Sequence, residues 1–330
     1  MKYILSISLL FSPMLFGQKL LISHPEAQAD NQCKGVTHYA ATGRLGDQLL
    51  AYLHSKWISY RYGIPFLYKP FDYSDQFVFH EEEIPYETKA YHFPHVITPR
   101  PGDHIDYNAY GSGTLFDIQY FSESPWERLI WGPQWYTFSV DWKDPVFRKE
   151  MQRLIKPRFP IPPHEIPKDK ISVALHIRLG GGFDPPRTWA AYPAKFPPPS
   201  YYIEQLRTIY ALFHKKPLYV YLFTDDQHPL ELVHAYQKQL SDLDIQFACR
   251  EHDNHHTKNV VEDFFAQMQY DCLIRPDSNF SLVAGKINDY KVIISPILCS
   301  EQNGQVHIDT VLIEKSDEFL QMEKNWENNL

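Results

Sequence analysis

Cysteine is scarce in this sequence, and the four present (Cys33, Cys249, Cys272 and Cys299) are scattered without a CxxC pair. Neither a zinc site nor a disulfide framework is signalled. An excess of positive charge is also missing. The 32 Lys and Arg are outnumbered by 40 Asp and Glu, for a formal net charge of −8. That balance argues against nucleic acid or an anionic membrane surface as a partner. There is no internal repeat, and no apolar run comfortably spans a bilayer. The longest, Tyr3–Phe16, follows Met1-Lys2 and is broken only by serines and Pro13. It suits a signal-peptide core, with Ala27-Gln28-Ala29 as an A-x-A site farther on. Residues 1–29 are therefore expected to form a signal peptide or short N-terminal anchor. The expected location is the secretory pathway or a membrane; the alternative is an anchored chain on the cytoplasmic face.

What remains is enough for large cores. With 330 residues, 44% apolar and 22% charged, two domains are expected. The stretch Ile171–Asp184, ISVALHIRLGGGFD, organises the rest. Ile171–Ile177 reads as a strand buried on both faces, running into a glycine loop. His176 and Arg178 lie two apart and project to one side at its carboxyl end, where open α/β sheets bind ligands. An arginine there presents a planar fork that matches phosphate. The alternative is a structural ion pair for Arg178 and a satisfied core histidine at 176.

Upstream, Lys34–Ala40 reads as a strand, followed by a turn holding Gly43 and Gly46. Leu49, Leu50, Leu53, Trp57 and Ile58 then recur at helical spacing, Gly63 suits the helix C-cap, and Ile64–Tyr68 reads as the next strand. Two glycines three apart let backbone approach an anion at the helix N-terminus. Residues 70–143 hold aromatics, prolines and four tryptophans (Trp126, Trp131, Trp135, Trp142) but no readable motif. Asp144-Pro145 caps a helix running to about Ile155. The proline-rich segment 157–170 is the expected linker between an acceptor-side domain, 30–156, and a nucleotide-sugar domain, 171–330.

The second domain alternates. Ser200 is expected to N-cap a helix, and Leu218–Phe223 is a strand ending in Thr224-Asp225-Asp226. A helix over 230–240, a strand at Ile245–Ala248 and a helix at Val260–Gln269 carrying Asp263 follow. Cys272–Ile274 is a short strand, and the turn 275–279 opens a helix at Phe280–Ile287. Lys291–Ile294 is the last expected strand. Strands alternating with helices predict an α/β fold with parallel sheets.

Four motifs in order, GRLGDQL at 43–49, HIR at 176–178, YLFTDD at 221–226 and DSNFSLVAGKI at 277–287, carry a resemblance. The chain resembles the GDP-fucose-dependent fucosyltransferases over roughly Cys33–Ser295, with a gap at 70–140. It is nearest the α-1,2 branch in GRLGDQL and SNFS, and similar to the α-1,6 and protein O-fucosyltransferases in HIR and TDD. The resemblance implies a GT-B-like fold, two Rossmann-type domains with parallel sheets facing across a cleft. It implies inverting, metal-independent transfer of L-fucose from GDP-fucose to a hydroxyl of a glycan acceptor, with no cofactor. It places the diphosphate on Arg178 with His176 in support, faces it with Gly43, Arg44 and Gly46, and puts guanine on Asp263. Ser278 and Asn279 match the phosphate-binding turn.

The departures fall at the chemistry. Asp47 stands where the α-1,2 branch usually has Asn, and Leu179 and Gly181 replace an arginine and an acidic residue. The latter is a candidate base in relatives, so Asp184 is nominated as the nearest carboxylate in the loop; Glu81–Glu83 and Asp225 follow. A nucleotide- or sugar-binding protein without turnover is the non-enzyme alternative. A secreted metallohydrolase built on the histidines of 252–256 is the other, and Asp242-Leu243-Asp244 spells a DxD before a strand, at the wrong end of the sheet for ligands.

Overall fold

The computed structural model describes residues 33–39, 43–87, 93–100, 103–119, 123–124, 140–180, 184 and 192–328. The expectations for residues 1–29, for Gly181 and for Trp126, Trp131 and Trp135 lie outside the described residues. Among the described residues no helix is long and apolar enough to cross a membrane.

Two sheets order the chain. The first holds β1 (Gly35–His38), β2 (Phe66–Leu67), β3 (His95–Ile97) and β4 (Thr114–Ile118) in the order β2-β1-β4-β3, with every pair parallel. Between β1 and β2 runs α1 (Leu45–Tyr62), which ends at Gly63 with φ 64°. Its residues from Leu45 to Trp57 are buried on nearly every side, polar His54, Ser55 and Lys56 included. A helix so enclosed is central, not a surface layer. A single turn, α2 (Phe79–Glu82), and α3 (Pro145–Leu154) complete this half. Asp144 caps α3 as expected, its Oδ1 accepting from the N–H groups of Val146 and Phe147 at 3.0 and 2.9 Å.

The second sheet holds β5 (Ile171–Ile177), β6 (Leu218–Thr224), β7 (Ile245–Cys249), β8 (Cys272–Ile274), β9 (Val292–Gln302) and β10 (Gln305–Lys315), in the order β10-β9-β8-β5-β6-β7. All pairs are parallel except the antiparallel β9–β10 hairpin. Its helices are α4 (Pro199–Leu212), α5 (Pro229–Gln239), α6 (Val260–Ala266), α7 (Asn279–Ile287) and α8 (Asp317–Glu327). Helix α4 begins one residue before Ser200, with Pro199 in its first turn and no side-chain cap. A proline there loses nothing, because that N–H has no intrahelical partner anyway. Strand β5 pairs β6 on one side and β8 on the other, so the strand order reverses between β5 and β8. The crevice at their carboxyl ends is where an open α/β sheet binds its ligand.

The two halves share a core. Val261 and Phe264 of α6 and Leu282, Val283, Ala284 and Ile287 of α7 pack with α1 and β1, although they follow the linker in sequence. The linker itself is pinned: Arg158 donates to the carbonyls of Gln76 and Asp75, and His164 bonds the Tyr270 hydroxyl at 2.7 Å.

Candidate active site

Where the halves meet, a cavity of about 610 Å³ opens at the carboxyl ends of β5, β6 and β8. Eight residues singled out in the sequence, Gly43, Arg44, Gly46, His176, Arg178, Asp263, Ser278 and Asn279, line it together. Asp184 lies against the wall, joined to Arg178 by an ion pair.

That carboxylate is a hub for positive charge. Besides Arg178 it stands 3.6 Å from Arg44 Nη2 and 3.6 Å from Lys195 Nζ, with its own side chain only 6% exposed. Burial pushes its pKa up. The Arg178 hydrogen bond and the charges of Arg178, Lys195 and Arg44 outweigh that and hold it below the usual carboxylate range. Burial also pulls Arg44 down to about 10, with Arg178 adding repulsion, and lowers Lys195 for the same two reasons. Three cations thus share the Asp184 carboxylate. Two buried polar atoms of the cavity-lining residues, Arg178 Nε and Ser278 Oγ, have no hydrogen-bond partner among the described residues. Such orphans are costly unless a ligand satisfies them.

Ser278 is the N-cap of α7, whose first N–H groups lack intrahelical partners. His176 anchors that end, with its Nδ1 2.8 Å from Ser281 Oγ. Burial and the charges of Arg178, Arg275 and Arg44 push His176 down to about 3, so it acts as a neutral brace and adds no charge. Arg275 is buried beneath the turn, its Nη1 donating to the Pro276 and Ser278 carbonyls. The turn is fixed from both sides.

The glycines of this turn have a packing role as well. A Cβ on Gly43 would lie 2.1 Å from Asp47 Oδ2, and one on Gly46 would lie 2.3 Å from the backbone nitrogen of Phe280. The glycines make room for Asp47 and for α7. Asp47 accepts from the Arg44 N–H at 3.0 Å and from Asn279 Nδ2 at 2.6 Å, which explains how a carboxylate is tolerated in this motif.

Across the cavity, burial raises Asp263 to about 6 even though Arg250 stands 2.7 Å away. The loop 255–258 lines the same wall and touches the first half through Tyr73, whose hydroxyl donates to the Thr257 carbonyl. Its histidines His255 and His256 lie with ring centroids 4.1 Å apart and tilted by 36°, and among the described residues no cluster of three His, Cys, Asp or Glu side chains is placed to hold a metal. Asp242 of the DxD pairs with Arg207 at 2.6 Å on an exposed surface. Glu81 and Glu83 are paired with Arg158 and Lys56 and do not line the cavity. Lys195 and Asp277 carry no sequence signal of their own. Lys195 sits among prolines, and Asp277 is hidden inside the phosphate motif.

No family model and no curated protein matches this sequence. Solved structures do. The fold is similar to that of a mutant of Arabidopsis thaliana FUT1 in complex with GDP, with TM-score 0.50, 10% identity, and coverage of 81% of this chain and 71% of that one. Fucosyltransferase NodZ from Bradyrhizobium follows at TM-score 0.47 and 15% identity, over 85% and 98% of the two chains. POFUT1 in complex with GDP gives 0.40 and 12%, over 80% and 96%. In fold, the chain is therefore a GT-B-like pair of parallel-sheet α/β domains, similar to that FUT1 structure.

Proposed function

We propose that this protein is an inverting glycosyltransferase that moves L-fucose from GDP-fucose to a hydroxyl of a glycan acceptor. The observation that carries the reading is that Arg178, Arg44 and Lys195 line one cavity with Ser278, the N-cap of α7, and that Arg178 Nε and Ser278 Oγ are buried without a partner among the described residues. A diphosphate supplies acceptor oxygens for both and charge for all three cations. In this reading Asp263 takes guanine, its carboxylate accepting from the base while Arg250 holds it in place. As GDP departs, negative charge grows on the β-phosphate. Arg178, Lys195 and the free N–H groups of α7 are already aimed at it, so little reorganisation is needed. Asp184 then serves as counter-ion: three cations hold it, and a carboxylate so stabilised is a weak proton acceptor. With side chains supplying this charge, transfer is expected to survive EDTA.

Two measurements test the reading. Calorimetry should show GDP binding well above UDP or CMP, and labelled GDP-fucose offered to a glycan array should yield fucosylated product. Binding of UDP above GDP would overturn the donor assignment. GDP binding without any product would leave a nucleotide-binding protein in its place.

A further inference from the structure

The reaction needs a proton acceptor, and one cavity carboxylate is left with no other role. Asp47 is held by Arg44 and Asn279, and Asp263 by Arg250. Asp225 accepts from the Leu179 N–H at 2.7 Å, and its charge faces Arg44. Asp72 is exposed at the rim. Asp277 differs from all of these. It directly precedes Ser278, so its Cα lies about 3.8 Å from that of the residue carrying the orphaned hydroxyl. Its own N–H donates to the Ala194 carbonyl at 2.9 Å, which fixes the backbone beneath it. The residue lines the cavity, and its side chain accepts a hydrogen bond from the Ser124 hydroxyl, with no ion pair among the described residues.

Ser124 reaches over from the first half on a fixed arm. The preceding residue, Glu123, is 2.8 Å from His54 Nε2 on α1 and accepts from Trp142 Nε1 at 2.7 Å. Asp277 is thus held from both halves, at the seam where an acceptor bound to the first would meet a donor bound to the second. Resting on the transferase reading above, we infer that Asp277 is the catalytic base. The acceptor oxygen bonds to the fucose anomeric carbon, and the bond from that carbon to the β-phosphate oxygen breaks with its electron pair going to GDP. The hydroxyl proton ends on Asp277. Its environment favours proton uptake, because burial pushes this carboxyl up despite Arg275, the Ser124 hydrogen bond and Lys195, opposite in direction to Asp184. Carboxylates driven apart in this way divide acid–base roles.

The test compares wild type with Asp277→Asn, whose amide oxygen still accepts from Ser124. Each is given GDP-fucose with a panel of mono- and disaccharide acceptors, and separately with sodium azide, a nucleophile that has no proton to lose. The variant should lose at least about a hundredfold in transfer to sugar hydroxyls while forming fucosyl azide at the wild-type rate and binding GDP within about twofold. Transfer to sugars within a fewfold of wild type would overturn the base assignment and leave the transferase reading intact. Loss of sugar and azide products alike would make Asp277 a donor-positioning or structural residue and overturn it too. A wild type that releases fucose to no acceptor would overturn the transferase reading itself, and the base with it.

Discussion

Two helix N-termini meet at the cavity, and they are finished in opposite ways. At α1 the chain supplies its own anion: Asp47 lies beside Gly43 and accepts from the Arg44 N–H. At α7 the hydroxyl of the N-cap Ser278 is buried and, among the described residues, has no partner, and the same holds for Arg178 Nε. Both ends carry the positive pole of a helix dipole. One is already neutralised and one is held open. The lesson is that a glycine turn ahead of a helix does not by itself mark an anion site; what matters is whether the chain has filled it.

The contact between the two ends offers the largest expected effect. Gly46→Ala would set a Cβ against the backbone of Phe280 at 2.3 Å, where no side chain can swing aside. Overpacking of this kind costs about 1–3 kcal/mol or more. Thermal melting should drop by several degrees, and GDP affinity should fall with it because α7 is displaced. Melting and affinity both unchanged would mean that the close approach of α1 and α7 is not as described.

Next comes Arg178. Losing a charge-assisted hydrogen bond to the diphosphate costs about 1.5–3 kcal/mol, so Arg178→Ala should weaken GDP binding roughly tenfold to a hundredfold by calorimetry. Arg178→Lys should recover little, since an ammonium cannot reproduce the planar fork. GDP affinity equal to wild type in the alanine variant would remove the open end from the nucleotide site.

A pH effect of moderate size follows at Asp263, raised to about 6 by burial. Its folded pKa lies above the unfolded value near 4, so this group's contribution to stability is greatest below the unfolded pKa and declines as pH rises through 6. Guanine binding has the opposite sign, because it needs the ionised carboxylate. GDP affinity should fall as pH drops below 6, and Asp263→Asn should flatten that dependence. A pH profile identical in the variant would place guanine elsewhere.

Much of this is legible in the sequence for a local reason. The Ile171–Ile177 run is apolar at nearly every position and becomes the strand flanked on both sides in the second sheet. His176, Arg178 and Ser278 stand out because strand ends and helix starts place side chains by short-range geometry. The last expected strand, Lys291–Ile294, is the start of β9, but its extension to Gln302, β10 and α8 are not among the expected elements, although Asn303-Gly304, both at positive φ, is a strong hairpin signal. Lys195 and Ser124 join the site only through long-range packing, which no spacing encodes. Gly46 is visible in the motif, but its purpose is not: the atom it makes room for lies more than two hundred residues away.

The central claim is that the α7 end is open for the diphosphate and the α1 end is closed, and one paired calorimetric titration addresses it. GDP is titrated into Ser278→Ala and Asp47→Ala, with the melting temperature of each recorded. Ser278→Ala should bind GDP about tenfold more weakly, near 1.5 kcal/mol, with melting unchanged, since its hydroxyl has no partner among the described residues to lose. Asp47→Ala should lose about 0.5–2 kcal/mol of stability, while GDP affinity stays level or rises as a negative charge leaves the cavity wall. The reverse pattern, with GDP lost at Asp47 and indifferent to Ser278, would contradict the account.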